Sequence, residues 1–193
     1  MSSALSQASV GLIFGTDTGN TEDVAEKISE QLQGAGIVAE LVNITDAEPE
    51  QIQGYDLAIM GIPTWDFGGI QVDWEDVEEM IQALDMSGKT VALYGLGDQF
   101  GYGDFFVDAM GWLQEHLQKA GARFIGYWPT EGYEFEASRA VNDDKTLFCG
   151  LAIDEDQQFV GHRGVEPAKD PLHVGFFDVM PAQKMAEDRG KSG

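Results

Sequence analysis

Val10-Gly11-Leu12-Ile13-Phe14-Gly15-Thr16-Asp17-Thr18-Gly19-Asn20-Thr21 is the stretch that decides the architecture. Its first five residues form a continuous apolar run ending at Gly15, which is the pattern of a strand buried on both faces. A helix follows over residues 20–33, with Val24, Ile28 and Leu32 on one face and Gly34 and Gly36 stopping it. The same alternation continues down the chain. Strands are predicted at 38–43, 57–62 (closed by Pro63), 90–94 and 124–128, and helices at 74–84 and 105–120. Continuous apolar strands alternating with amphipathic helices predict an α/β fold, with a parallel sheet covered on both faces. Residues 129–146 are polar and separate the strand at Phe124 from another strand-like run at 147–152.

In an open parallel sheet, ligands sit beyond the carboxyl ends of the strands. Three loops leave such ends. The first, Gly15 to Thr21, brings three threonine hydroxyls and several backbone N–H groups to a helix N-terminus, a cradle for one phosphate. It carries no Lys or Arg, so neutral donors and the helix dipole must hold the anion. It also reads as a Thr/Asn-rich capping turn without a ligand. A nucleoside triphosphate loop needs Gly-Lys-Ser/Thr after a spaced Gly; Gly88-Lys89-Thr90 has Ala83 at that first position. The second loop is Pro63-Thr64-Trp65-Asp66-Phe67-Gly68-Gly69. Its tryptophan either folds onto the core or needs a planar group to cover it. The third is Gly95-Leu96-Gly97-Asp98-Gln99-Phe100-Gly101-Tyr102-Gly103-Asp104, with backbone donors, a carboxylate and an aromatic ring. Phe100 stands where a dinucleotide fingerprint needs its third glycine, so that fingerprint is absent. Read alone, this loop is equally a flexible connection. Together the three loops suit a flat ring with a phosphate tail.

With 193 residues, 43% hydrophobic and 23% charged, the chain suits one globular domain. The net charge of −23 argues against nucleic acid and anionic membrane surfaces and for basic partners, with solubility as the plainer reading. All of it lies before Phe159: residues 1–158 hold 6 Lys+Arg and 29 Asp+Glu, and residues 159–193 hold 5 of each. No apolar stretch suits a membrane span or a signal peptide. The single cysteine, Cys149, lies in an apolar run and reads as buried packing, which fits a cytoplasmic location. His116, His162 and His173 are scattered without metal spacing, so neither a metal site nor a catalytic triad is expected.

The three loops closely resemble the flavodoxin family. Thr16-Asp17-Thr18-Gly19-Asn20-Thr21 meets its T/S-x-T-G-x-T phosphate signature. Pro63-Thr64-Trp65, with Gln71 and Asp73-Trp74 following, is similar to its P-T-W loop, and Gly95 to Tyr102 to its G-x-G-D-Q-x-G-Y loop. Residues 126–135 resemble the insertion that splits the fifth strand in long-chain members, and residues 150–156 the return strand. The resemblance implies a doubly wound five-stranded parallel sheet, order 2-1-3-4-5, and a low-potential one-electron carrier with one non-covalent FMN. It implies phosphate binding by Thr16, Asp17, Thr18, Gly19, Asn20 and Thr21. Trp65 and Tyr102 would sandwich the ring, flanked by Pro63, Thr64, Asp66, Phe67 and Gly68. Gly95, Leu96, Gly97 and the N–H and carboxylate of Asp98 would meet the pyrimidine edge. In the family a backbone carbonyl after the loop tryptophan turns toward flavin N5; here the turning peptide is Asp66–Phe67, without glycine. Implied partners are basic-surfaced redox proteins: a ferredoxin/flavodoxin–NADP reductase, photosystem I or nitrogenase. The chain is expected to be a monomer and not an enzyme.

There are departures. Phe105 and Gly69 stand where long-chain members often carry Asn and an acid. The family ends in an amphipathic helix, whereas residues 159–193 carry Gly161, Gly164, Pro167, Pro171, Gly175 and Pro181, which break any long helical stripe. An FMN-binding domain at 1–158 with an atypical tail at 159–193 is therefore expected. Two other readings stand beside the carrier: an FMN-dependent NAD(P)H–quinone reductase and a flavin-free binding module. The first lacks a basic residue in the loops for the NADPH phosphate. The second, as a receiver domain, lacks an acidic pair after the first strand.

Overall fold

Successive residues of a strand point to opposite faces of its sheet, so a run such as Leu12-Ile13 must find apolar partners on both sides. The computed structural model, which describes residues 7–157, shows how it does so. β1 (Val10–Phe14) is followed by α1 (Asn20–Gly34) and β2 (Ala39–Asn43), then α2 (Pro49–Gly54) and β3 (Leu57–Trp65). β4 (Gly69–Ile70), α3 (Val72–Asp76), α4 (Glu78–Ala83) and β5 (Thr90–Gly97) come next. α5 (Asp108–Lys119), β6 (Arg123–Ile125), β7 (Trp128–Pro129), β8 (Leu147–Phe148) and β9 (Leu151–Asp154) complete the described chain.

The sheet runs β2-β1-β3-β5-β6, all parallel, which is the expected 2-1-3-4-5 arrangement of principal strands. On one face Val24, Ala25, Ile28 and Leu32 of α1 pack with Leu12, Phe14, Ile59 and Tyr94. On the other, Trp74, Ile81, Met110, Leu113 and Leu117 pack with Ile13, Met60, Val91 and Leu93. The outer position beside β5 is filled twice. β6 pairs with Thr90–Ala92 and β9 with Tyr94–Gly97, both parallel to β5. Residues 126–150 leave the sheet between them and form the small antiparallel pair β7-β8.

Several boundaries differ from the sequence reading. β3 does not close at Pro63 but runs on to Trp65, pairing with β5 as far as Leu96. β1 covers β3 only to Gly61, so the strand beyond has an open edge where a missing N–H costs no ladder bond. The single helix expected over 74–84 is two, joined at Val77 (φ −101°, ψ 8°). The joint lies in a run containing Asp73, Glu75, Asp76, Glu78 and Glu79, where carboxylates three and four apart would repel along one continuous helix. The helix expected from 105 starts at Asp108, because Val107 takes a left-handed conformation (φ 51°). That bend lets the adjacent Phe106 and Val107 both bury. Gly126 (φ 79°) ends β6 before Trp128, and the run at 147–152 divides into β8 and β9. The sequence reading did not include α2. Cys149 is buried, and burial pushes its thiol up to about 12. The tail expected at 159–193 lies outside the described residues.

Candidate functional site

The loops after β1, β3 and β5 converge at the carboxyl end of the sheet around a cavity of about 270 Å³. The loop after β1 closes through the Gly19 N–H, which donates to Thr16 Oγ1 at 2.9 Å. Gly19 sits at φ 90°, where other residues are strained, and it caps α1 without offering a side chain. The first-turn N–H groups of α1 are therefore left to an anion, with the helix dipole behind them. Tyr94, fully buried beneath, donates its hydroxyl to Thr21 O at 2.9 Å and so supports that first turn from the sheet. It reaches there because Gly61 has no Cβ: any side chain at 61 would collide with the Tyr94 ring. Gly61 O in turn accepts from Trp74 Nε1 at 3.2 Å.

The second loop is the tip of a hairpin, with Thr64 paired to Ile70 and Trp65 to Gly69. Asp66 (φ 40°) and Gly68 (φ 83°) turn the chain between them. The Thr64 hydroxyl accepts the Ala109 N–H at 3.1 Å, tying the hairpin to the start of α5. Trp65 and Tyr102 both line the cavity and are 39% and 37% exposed. Phe67 is 77% exposed and stands edge-on to Tyr102 and Phe105 at 5.6 and 5.9 Å. In the third loop, Asp98 Oδ1 accepts from the Phe100 and Gly101 N–H groups at 3.0 and 2.7 Å. One oxygen of the carboxylate that the sequence reading aimed at a heterocycle is thus used within its own loop.

Of the residues singled out from the sequence, Thr16, Asp17, Thr18, Asn20, Thr21, Pro63, Thr64, Trp65, Asp66, Gly97, Asp98 and Tyr102 line this one cavity. Gly19, Phe67, Gly68, Gly95 and Leu96 do not; Gly95 and Leu96 are buried inside β5. Three more residues line it: Phe105, which the sequence marked as a departure from the family, and Glu155 and Asp156, which were missed. The two acids follow β9, another strand carboxyl end, and the rule used for the other loops would have found them. Glu155 Oε1 accepts from Asn20 Nδ2 at 3.2 Å, closing the cavity against the first loop. Burial holds its carboxyl above the usual range against the Asn20 bond, and the neighbouring charges of Asp156, Asp154 and Asp98 add to the rise. Behind it Asp154 is fully buried and fixes the turn, accepting from Gln99, Asp156 and Gln157 N–H groups.

Among the described residues the lining contains Asp17, Asp66, Asp98, Glu155 and Asp156 but neither Lys nor Arg. It offers an anion neutral donors at one end and a planar group two half-exposed aromatic rings at the other. Further negative charge on that planar group would be opposed.

The sequence model of the Flavodoxin family matches residues 12–162. Flavodoxin 2 of Escherichia coli strain K12 is 51% identical over 150 residues, covering 78% of this chain and 86% of its own. Flavodoxin 1 of the same strain is 45% identical over 151 residues, covering 78% and 84%. Among solved structures, a mutant of Fusobacterium nucleatum flavodoxin bound to flavin mononucleotide superposes with a TM-score of 0.77 at 26% identity. The match covers 90% of this chain and 94% of that one.

Proposed function

The chain belongs to the flavodoxin family, and we infer from that membership and from the cavity that it is an electron carrier using one non-covalently bound FMN. The observation that carries this reading is the joining, in one cavity, of an anion cradle free of Lys and Arg to two half-exposed aromatic rings. FMN supplies one-electron chemistry when bound, accepting two electrons in separate steps. The chain's own residues do the rest. Thr16, Thr18 and Thr21, with the first-turn N–H groups of α1, hold the phosphate. Trp65 and Tyr102 flank the ring and keep water from its faces. The backbone at Gly97 and Asp98 meets the ring edge. The acids around the cavity resist added negative charge, which sets the second reduction at low potential. Residues 126–150 we read as the insertion of long-chain members.

The chain works as a carrier rather than an enzyme, as a monomer in the cytoplasm. No helix among the described residues is long and apolar enough to cross a membrane. Its partners are basic-surfaced redox proteins on either side of the transfer: a ferredoxin/flavodoxin–NADP reductase, photosystem I or nitrogenase. Exposed Asp66, Glu75, Asp76 and Glu79, beside the cavity mouth and along α3 and α4, steer such partners to the ring edge. Titrating apo-protein with FMN should give one equivalent bound, with no NADPH oxidation until a reductase is added. Direct NADPH oxidation by the purified protein would favour a quinone reductase instead. Reduction rates through the reductase should fall as salt is added; rates indifferent to salt would remove the steering role.

A further inference from the structure

Gln71 is a buried amide whose acceptor is left unpaired by its surroundings. Only 1% of the residue is exposed, and its Oε1 has no hydrogen-bond partner among the described residues. The oxygen occupies the space that a Cβ on Gly15 would need, 2.5 Å away. The amide cannot turn over to relieve this. Its Nε2 donates to Asp17 Oδ1 at 3.1 Å and to Asp73 Oδ2 at 2.8 Å, and a flipped amide would set its oxygen against both carboxylates. An orphaned buried acceptor is destabilising, and a methionine of similar length would remove the defect. Gln71 stands directly after β4, at the foot of the hairpin that carries Trp65, and caps α3 with its backbone carbonyl. Asp17 belongs to the other half of the cavity, in the loop before α1. It is a carboxylate within a cradle otherwise suited to an anion.

We propose that Gln71 is a positioning residue that holds the Asp17 carboxylate toward α3 and away from the phosphate place, so that an acidic loop can accept an anionic ligand. This rests on the reading that residues 16–21 take the phosphate of FMN. Without the amide, Asp17 is free to turn its charge toward that phosphate. The effect belongs to the phosphate alone and should be absent for riboflavin, which has the same ring and no phosphate.

The test is a fluorescence titration of apo-protein with FMN and with riboflavin, on the parent, Gln71→Met, Asp17→Ala and the double variant. Gln71→Met should raise the Kd for FMN about tenfold and leave that for riboflavin within about twofold. In the Asp17→Ala background the same change should move the FMN Kd by less than about twofold. The apo form of Gln71→Met should melt no lower than the parent, because the orphaned acceptor is gone. Equal losses for both flavins, or a full loss without Asp17, would overturn the proposal. Should Gln71→Met fail to fold by circular dichroism, Gln71→Glu sets a third carboxylate beside Asp17 and Asp73. It must then weaken FMN more than riboflavin, and equal weakening overturns the proposal. A parent that binds both flavins beside a neutral Gln71→Met overturns this inference alone. A parent that binds neither overturns the functional reading with it.

Discussion

At the scale of single residues, the site depends on a few side chains whose charge or backbone geometry can be changed separately. Asp98 holds its own turn through Oδ1, and asparagine would keep that acceptor while removing the charge. Asp98→Asn should therefore leave FMN bound and raise the lower of its two midpoint potentials by roughly 20–60 mV. An unchanged potential in a spectroelectrochemical titration would mean that the acids around the cavity do not set it. The hairpin tip is a second case. Asp66 already adopts a left-handed conformation, and Phe67 follows it without the freedom of glycine. If the Asp66–Phe67 peptide turns on reduction, as the resemblance implies, Phe67→Gly should widen the gap between the two midpoints by about 20–50 mV. A narrower gap in the variant would contradict that role. Residues of this kind were readable from the sequence when they stood in loops at strand ends, as Thr16, Trp65 and Tyr102 do. Gln71, Tyr94 and Glu155 were not given roles there, because their parts depend on neighbours 54, 73 and 135 residues away.

Among the elements, periodicity and breakers located every principal strand, since parallel strands buried on both faces leave long apolar runs. What they could not locate was where an element bends. Val107 looks like an ordinary helical position, and only the joint burial of Phe106 and Val107 explains its left-handed backbone. The joint at Val77 is hidden because the apolar stripe of α3 and α4 continues across it. α2 is short and marked only by Pro49 at its start and the buried Ile52. Residues 129–146, read from composition alone as a loop between two strand-like runs, lie in a segment, 126–150, that carries a packed nucleus. Phe148 is fully buried and meets Phe106, Tyr133 and Phe135 at ring distances of 5.8, 5.2 and 5.1 Å. Tyr133 also donates its hydroxyl to Ala152 O in β9 at 2.6 Å. Phe148→Ala should cost about 3–5 kcal/mol in urea denaturation and expose residues 126–150 to limited proteolysis first. A loss below about 1 kcal/mol would show that this segment is only loosely attached.

The whole molecule carries a charge of −23, and several of its acids are held in surroundings that oppose ionisation. Burial raises the carboxyls of Asp108, Asp154 and Glu155 above their usual range, in each case as the largest cause. For an acid of this kind the folded state binds the proton more tightly than the unfolded chain. Stability is therefore lost as pH rises through the raised value and regained as pH falls toward the ordinary carboxylate range near about 4. General repulsion among the acids acts in the same direction and is screened by salt. The denaturation midpoint of the apo-protein should be higher at about pH 4.5, just above the ordinary carboxylate range, than at about pH 8, and added salt should narrow the difference. A midpoint that falls on acidification would contradict this. The same charge, gathered around a cavity with an anion cradle and two aromatic rings, defines the central claim: one FMN held by neutral donors in an acidic carrier. The most direct test is the visible absorption spectrum of the purified protein, before and after photoreduction by one electron equivalent. Yellow flavin bands, followed by a new long-wavelength band at partial reduction, are the predicted result. A protein that is colourless, and stays so after FMN is added and the excess removed, would contradict the account.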